Sequence, residues 1–161
     1  MPISEDSGDY FLKVEGIEGE CADPAHKREL RILTFSKAVS NPHERGGGMP
    51  IGAAVCDDVR FTMRVDRAYT GLLIASMQNQ ILKKVVLTCR KAGKDAREYL
   101  KITLSDVMVS SCRLSGSPDE NPVPMLHFSL NFAQIQEEYR AQKGIGTLGG
   151  SLMYSYTLKK A

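Results

Sequence analysis

The sequence predicts a mainly β protein, a small antiparallel β-barrel with one flanking α-helix. Apolar and polar residues alternate in several segments between Tyr10 and Leu158, the pattern of strands with one buried and one solvated face. Glycine and proline clusters separate these segments. One stretch, near residues 70–81, has helical spacing instead. No internal repeat divides the 161 residues, so we predict a single domain over 9–161 after a loose leader, 1–8.

The first two strands are predicted in the first forty residues. Alternation from Tyr10 ends near Gly16, and a polar connection leads to a second strand, LRILTFSKAVS, over 30–40. Segment 41–52 then carries two prolines and four glycines. Neither residue type suits the interior of a strand ladder, so this segment is predicted to be a long exposed loop.

A strand and the helix are predicted next. Alternation over 55–65 gives a strand with one buried and one wet face. Asp66 or Thr70 is placed to cap the helix that follows. The helix is expected to pack one apolar stripe against the sheet, formed by Leu73, Ile74, Met77 and Ile81.

The longest alternating run occupies the middle of the chain, and a last strand is predicted over 151–159. In the middle run the buried set changes parity twice, after Leu104 and after Phe132. An extra residue in a strand has this effect, so we predict β-bulges near Ser105–Asp106 and Ala133–Gln134. Bulges bend strands and help a sheet to curl into a barrel.

Composition excludes several classes of partner. The formal net charge is +2, from 21 basic and 19 acidic residues that are scattered along the chain, so nucleic acid is not an expected partner. No apolar run is long enough for membrane insertion, and the acidic start MPISEDSGD is unlike a secretory signal. The chain is therefore expected to stay in the cytosol unless a dedicated machine exports it.

The sequence offers no enzyme motif, cofactor site or metal site. Segment 46–52 lacks the lysine and hydroxyl of a phosphate-binding Walker loop. The cysteines are too widely spaced for zinc and are expected to be reduced, part-buried thiols. A Cys–His catalytic pair stays open, because its partners need not be adjacent in sequence. The histidines and cysteines of the chain are His26, His43, His127, Cys21, Cys56, Cys89 and Cys112.

Four strings carry a family resemblance: LTCRKAG, EYL, ITLSDVMVSS and SLNFAQIQEEYRAQK. Together they resemble the haemolysin-coregulated protein (Hcp) family, the tube subunit of bacterial type VI secretion systems. The resemblance implies a barrel of two antiparallel sheets flanked by a helix. It further implies that six copies form a ring and that rings stack into a tube that carries secreted effector proteins. A trimeric spike protein tips this tube, and a contractile sheath expels it. The absence of tryptophan departs from the family pattern.

The resemblance also suggests two sets of functional residues. The loop is expected to mediate ring stacking through Arg45, Gly46, Gly47, Gly48 and Met49. In strand 30–40 the Leu33–Phe35 side is expected to pack into the barrel. The small, uncharged side is then expected to face the tube lumen through Thr34, Ser36 and Ala38. A position for these residues on the outside of the ring stays an alternative, as do a monomeric barrel that binds a small ligand and an uncharacterised enzyme.

Overall fold

The computed structural model of the chain describes residues 8–41, 54–92, 97–141 and 152–159. Within these ranges it contains ten strands and one helix. They are β1 (Gly8–Val14), β2 (Leu30–Ile32), β3 (Thr34–Ser36), β4 (Val39–Ser40), β5 (Val55–Cys56), β6 (Val59–Arg64), α1 (Ala68–Met77), β7 (Leu82–Lys91), β8 (Glu98–Ser117), β9 (Asn121–Ala141) and β10 (Leu152–Lys159). Of the predicted leader, only Gly8 is described, and it already belongs to β1.

A single antiparallel sheet forms a nearly closed barrel. Its order is β2-β1-β7-β8-β9-β6-β3, and β10 adds to β9. The two ends of this order, β2 and β3, are consecutive in the chain and separated by Leu33 alone. Leu33 donates its backbone N–H to the Thr62 carbonyl at 2.8 Å. The chain therefore joins the two edges of the sheet at this bend.

The bend at Leu33 corrects the prediction of one continuous strand over 30–40. A straight strand cannot pair with β1 and β6 at opposite edges, so the chain turns between them. The buried set changes parity at the turn, from Ile32 to the part-buried Phe35. Leu33 itself is 42% exposed, so the expectation that it packs into the barrel is wrong.

The hairpin of β8 and β9 passes through both layers of the barrel. The first half of β8 pairs with β7, and the second half of β9 pairs with β10. The first half of β9 pairs with β6, and β6 pairs with β3 on its other side. The barrel thus has a first layer, β2-β1-β7-β8-β9-β10, and a second layer, β8-β9-β6-β3. This confirms the prediction of two antiparallel sheets, which are two halves of one curved sheet.

The two parity changes in the sequence mark the bend between these layers. The β-bulges predicted there are absent from the described pairing of β8 with β9. Leu104 lies opposite Ile135 and Val107 opposite Phe132, so no extra residue separates these pairs. All four side chains are buried. Asp106 has a φ of 50°, in the left-handed region, and turns β8 where β9 turns with it. An extra residue in β8 occurs further along instead, between Val109 and Ser111.

The helix has Arg67 rather than Asp66 or Thr70 at its N-cap, and it buries a different face from the predicted one. Asp66 accepts a hydrogen bond from the Ala68 N–H at 2.8 Å, which satisfies a free donor of the first turn. The buried side chains are Ala68, Leu72 and Ala75. Their spacing also makes a helical stripe, and the small side chains of Ala68 and Ala75 let α1 lie close to β8. The predicted stripe is wrong: Ile74, Met77 and Ile81 are exposed, and Leu73 is only part-buried.

Phe11, His26 and Arg90 form a second cluster, the Phe11 cluster, on the outer face of the first layer. Phe11 points away from the barrel core yet is 0% exposed. The His26 ring stacks on it with the centroids 4.1 Å apart, and the Arg90 guanidinium lies 4.7 Å from its centroid. The two His26 ring nitrogens hydrogen-bond Glu29 at 2.9 Å and Glu98 at 2.7 Å. The connecting loop, residues 15–29, is thus fastened to the sheet.

Ionic contacts fasten the same loop at Asp23. The Arg90 guanidinium donates to Asp23 at 2.6 Å and to Asp9 at 3.1 Å. The hydrogen bond from Arg90 lowers the pKa of Asp23 to about 2, against the opposing effect of partial burial, and the Ala25 N–H adds to the lowering. An unfolded aspartate has a pKa of about 3.9. This contact therefore stabilises the fold above about pH 4 and ceases to do so as the pH falls towards 2.

Asp23→Asn is expected to flatten the acid dependence of stability. Urea unfolding of the wild type should show a falling free energy of unfolding between about pH 4 and pH 2, and the variant should show a weaker fall. Asp119→Asn, in the exposed turn between β8 and β9, is the matched control and should keep the wild-type slope. Equal slopes for wild type and Asp23→Asn would contradict this assignment.

Candidate functional surface

The predicted lumen residues lie in the second layer of the barrel, on its outward side. Residues directly opposite one another on paired strands share a face. Thr34 lies opposite Thr62, and Ser36 opposite Arg60. Both Thr34 and Ser36 are exposed. Ala38 is exposed just beyond β3, where its carbonyl accepts the Asp57 N–H at 3.0 Å.

We call this surface the β3–β6 face. It comprises the outward residues of the second layer, which come from four strands and the turn before β6. They are Thr34, Ser36, Asp58, Arg60, Thr62, Arg64, Ser110, Ser111, Arg113, Ser115, Met125, His127, Ser129 and Asn131. The core side chains Val59, Phe61 and Met63 alternate with them along the chain. This confirms one buried and one wet face for β6. The prediction of one continuous strand over 55–65 is wrong, because β5 and β6 are separate strands in different sheets and Val55 is 49% exposed.

A hydrogen-bond network braces one end of the face. Asp58 accepts bonds from the Ser110 hydroxyl at 2.6 Å and the Asn131 amide at 2.8 Å. The Ser129 hydroxyl lies 2.7 Å from that of Ser110 and 2.6 Å from that of Ser111. Two consecutive serines reach the same partner because Ser110 is the extra residue in β8. The network fixes the outward side chains where β6, β8 and β9 meet.

His127 lies near the middle of the face, opposite Thr62 on one side and Arg113 on the other. Its ring nitrogens lie 3.3 Å from Thr62 Oγ1 and 3.4 Å from Ser115 Oγ. None of the described carboxylates hydrogen-bonds this ring. The contacts are those of a part-buried strand histidine.

Burial makes two of the four cysteine thiols poor nucleophiles. All four are free; Cys21 and Cys89 are buried rather than part-buried as expected, and Cys56 and Cys112 are part-buried. Burial raises the pKa of Cys89 to about 12 and also raises that of Cys112. A thiol with a raised pKa is a poor nucleophile. Among the described residues, no group of three histidine, cysteine or carboxylate side chains is placed to hold a metal ion.

The predicted stacking residues Arg45, Gly46, Gly47, Gly48 and Met49 lie outside the described residues. The chain on either side of them is described. Val39 lies opposite Cys56 and Ser40 opposite Val55, so β4 and β5 form a two-stranded ribbon. Both valines are about half exposed. The ribbon places Ser40 and Val55, which lie on either side of the predicted loop in the chain, opposite each other.

The barrel interior leaves the small-ligand alternative without support. Large apolar side chains fill it, and the rings of Phe61 and Phe128 stack there with centroids 5.1 Å apart. An open groove of about 570 Å³ lies outside, on the first layer. Its wall mixes cations and anions, including Lys13, Lys101 and Glu138.

Sequence reasoning missed the β3–β6 network and the Phe11 cluster. Their members come from segments far apart in the chain, so neither has a local motif. Alternation did contain one signal, because Arg60, Thr62 and Ser129 occupy the polar positions of predicted strands. It could not show that β6 and β9 are neighbours.

The described residues form a two-layered antiparallel barrel with one helix and a braced polar outer surface. The family described as "Type VI secretion system effector, Hcp" matches residues 11–139. The protein hcp1 of Pseudomonas aeruginosa is 34% identical over 156 residues, which cover 94% of this chain and 96% of that protein. The chain therefore belongs to the Hcp family of type VI secretion proteins.

Solved structures agree with this assignment. The crystal structure of Hcp1 from Salmonella typhimurium has a TM-score of 0.73 and 29% identity, covering 93% of this chain and 94% of that one. A type VI secretion system effector from Yersinia pestis has a TM-score of 0.73 and 26% identity, covering 93% and 100%. The chain is thus a structural subunit of the type VI secretion tube, from a secreted family that forms rings and tubes. No helix of the described residues is long and apolar enough to cross a membrane.

Proposed function

We propose that six copies of the chain close into a ring and that the rings stack into a tube that carries effector proteins. The family match over most of the chain carries this proposal. In the proposed system a trimeric spike protein tips the tube and a contractile sheath expels it. The chain has no catalytic role and waits in the cytoplasm before firing.

Strand edges support closure into a ring. Residues 108–117 of β8 pair with β9 on one side and with no other described strand on the opposite side. β10 pairs only with β9 among the described residues. Unpaired edges recruit neighbouring chains. A heterologous contact that closes under rotation produces a ring rather than a filament.

We propose that Thr34, Ser36 and Ala38 face the lumen of this ring. The support is that all three are exposed and uncharged, and that two of them lie on the braced β3–β6 face. A channel that must hold and release different proteins is helped by small polar side chains, because large apolar patches retain cargo too tightly.

Ser36→Glu is expected to lower effector retention while rings remain intact. The new carboxylate adds bulk and charge to the proposed cargo surface, opposite Arg60. A cognate effector should be co-expressed with the chain, and its co-purification and cellular half-life measured. Thr70→Glu, at an exposed position on α1 that lies neither on the β3–β6 face nor on a proposed ring edge, is the matched control. Unchanged retention on intact Ser36→Glu rings would remove Ser36 from the lumen.

We also propose that residues 45–49 make the ring-on-ring contact. The support is the β4–β5 ribbon. Its two strands precede and follow this segment in the chain, and they lie outside the main sheet. Its half-exposed Val39 and Val55 offer apolar area next to the proposed contact.

A further inference from the structure

The β3–β6 face carries three exposed arginines, Arg60, Arg64 and Arg113. Thr62 and Arg113 both lie opposite His127, on its two sides. Arg113 is therefore level with the midpoint between Arg60 and Arg64. Strand spacing and rise place the three Cα atoms at the corners of a triangle with sides of about 12–14 Å.

None of these arginines forms an ion pair within the described part of the chain. Arg31 and Arg90 differ, because each bonds an aspartate at 2.6 Å. The three cations on the β3–β6 face are therefore available to a partner.

The anion on the same face is already engaged. Asp58 accepts hydrogen bonds from Ser110 and Asn131 rather than from an arginine. Three arginines against one aspartate leave a charge of +2 on the face of each copy. Asp119 and Glu120 lie beyond the face, in the turn of the β8–β9 hairpin.

We infer that the β3–β6 face binds an acidic protein surface. Arginine is suited to this role because its guanidinium pairs with carboxylates through two parallel hydrogen bonds and is weakly hydrated. The triangle fits carboxylates of one partner that lie about 12–14 Å apart. This inference rests on the proposed function, since a ring repeats the face around one channel and so multiplies weak contacts.

The same cations are poorly arranged for nucleic acid. Single strands are held by aromatic platforms as well as by charge. The described residues of the β3–β6 face include no phenylalanine or tyrosine. Hydroxyl and amide groups lie between the arginines instead, and these suit the polar rim of a protein interface.

Fluorescence anisotropy with labelled probes tests the inference on the full chain. One probe is a short peptide with glutamate at alternate positions, one has lysine in their place, and one is an oligothymidylate of the same net charge as the acidic peptide. The test variant is Arg60→Glu/Arg113→Glu. The control is Lys83→Glu/Lys101→Glu, which changes the charge equally at exposed positions off the face. Native mass spectrometry checks assembly of each protein.

The acidic peptide is expected to bind the wild type, and the test variant should weaken binding about tenfold or more. Added salt should weaken it too, because the contacts are exposed. The control should bind as the wild type does. Equal binding by test and control variants, or no binding of the acidic peptide to the wild type, would overturn the inference. Tighter binding of the oligothymidylate than of the acidic peptide would overturn it in favour of nucleic acid. Failure of the wild type to form rings would instead count against the proposed function.

Discussion

Phe11→Ala is expected to lower the free energy of unfolding by about 3–5 kcal/mol, as for a phenylalanine of the main core. Phe11 points away from that core, but it is 0% exposed, and the His26 ring and the Arg90 guanidinium pack against it. Its removal leaves a cavity under the connecting loop and takes away the surface on which both side chains rest. Urea unfolding measures the loss, and hydrogen exchange should show reduced protection of residues 15–29.

Phe11→Leu is the matched control, since it keeps most of the apolar volume. It should cost less than about 1.5 kcal/mol. A loss below about 1 kcal/mol for Phe11→Ala would show that the Phe11 cluster contributes little to the free energy of unfolding. Unchanged exchange in the loop would show that the loop is held by its ion pairs alone.

Replacing residues 45–49 with a short Gly-Ser linker is expected to abolish stacking while leaving single rings intact. The substitution removes Arg45 and Met49, the charged and apolar side chains of the proposed contact. The β4–β5 ribbon lies outside the main sheet, so the barrel and its edges should be unaffected. Negative-stain images would count tubes against rings, and a secretion assay would measure release of the chain.

Two results would contradict this role for the segment. Loss of the rings themselves would place the segment in ring closure, and unchanged tubes would remove it from assembly. A Gly-Ser linker in the β8–β9 turn, replacing residues 118–120, is the control and should leave stacking intact.

Much of the fold could be predicted from alternation alone. The buried sets of β1, β6, β7 and β8 follow the parity of their apolar residues, because successive side chains point to opposite faces. The parity changes after Leu104 and Phe132 also reported a real bend. Their cause was misread, because a sheet in which both strands turn together leaves the same pattern as an extra residue.

The remaining errors arose where one local pattern fits two tertiary arrangements. The residues of α1 contain a large apolar stripe and a small one, and only the close approach of β8 decides that Leu72 and Ala75 are buried. Strand 30–40 reads as continuous because nothing local shows that it must serve both edges of the barrel. Phe11 alternates onto a predicted polar face, and only the loop that returns over it explains its burial.

Assembly of the chain is tested most directly by native mass spectrometry of the purified wild type over a wide range of concentration, with negative-stain imaging of the same samples. The expected result is a six-subunit species that images as rings with a central hole. A monomer or a two-fold dimer at every concentration would contradict the ring, and with it the proposed lumen and stacking surfaces.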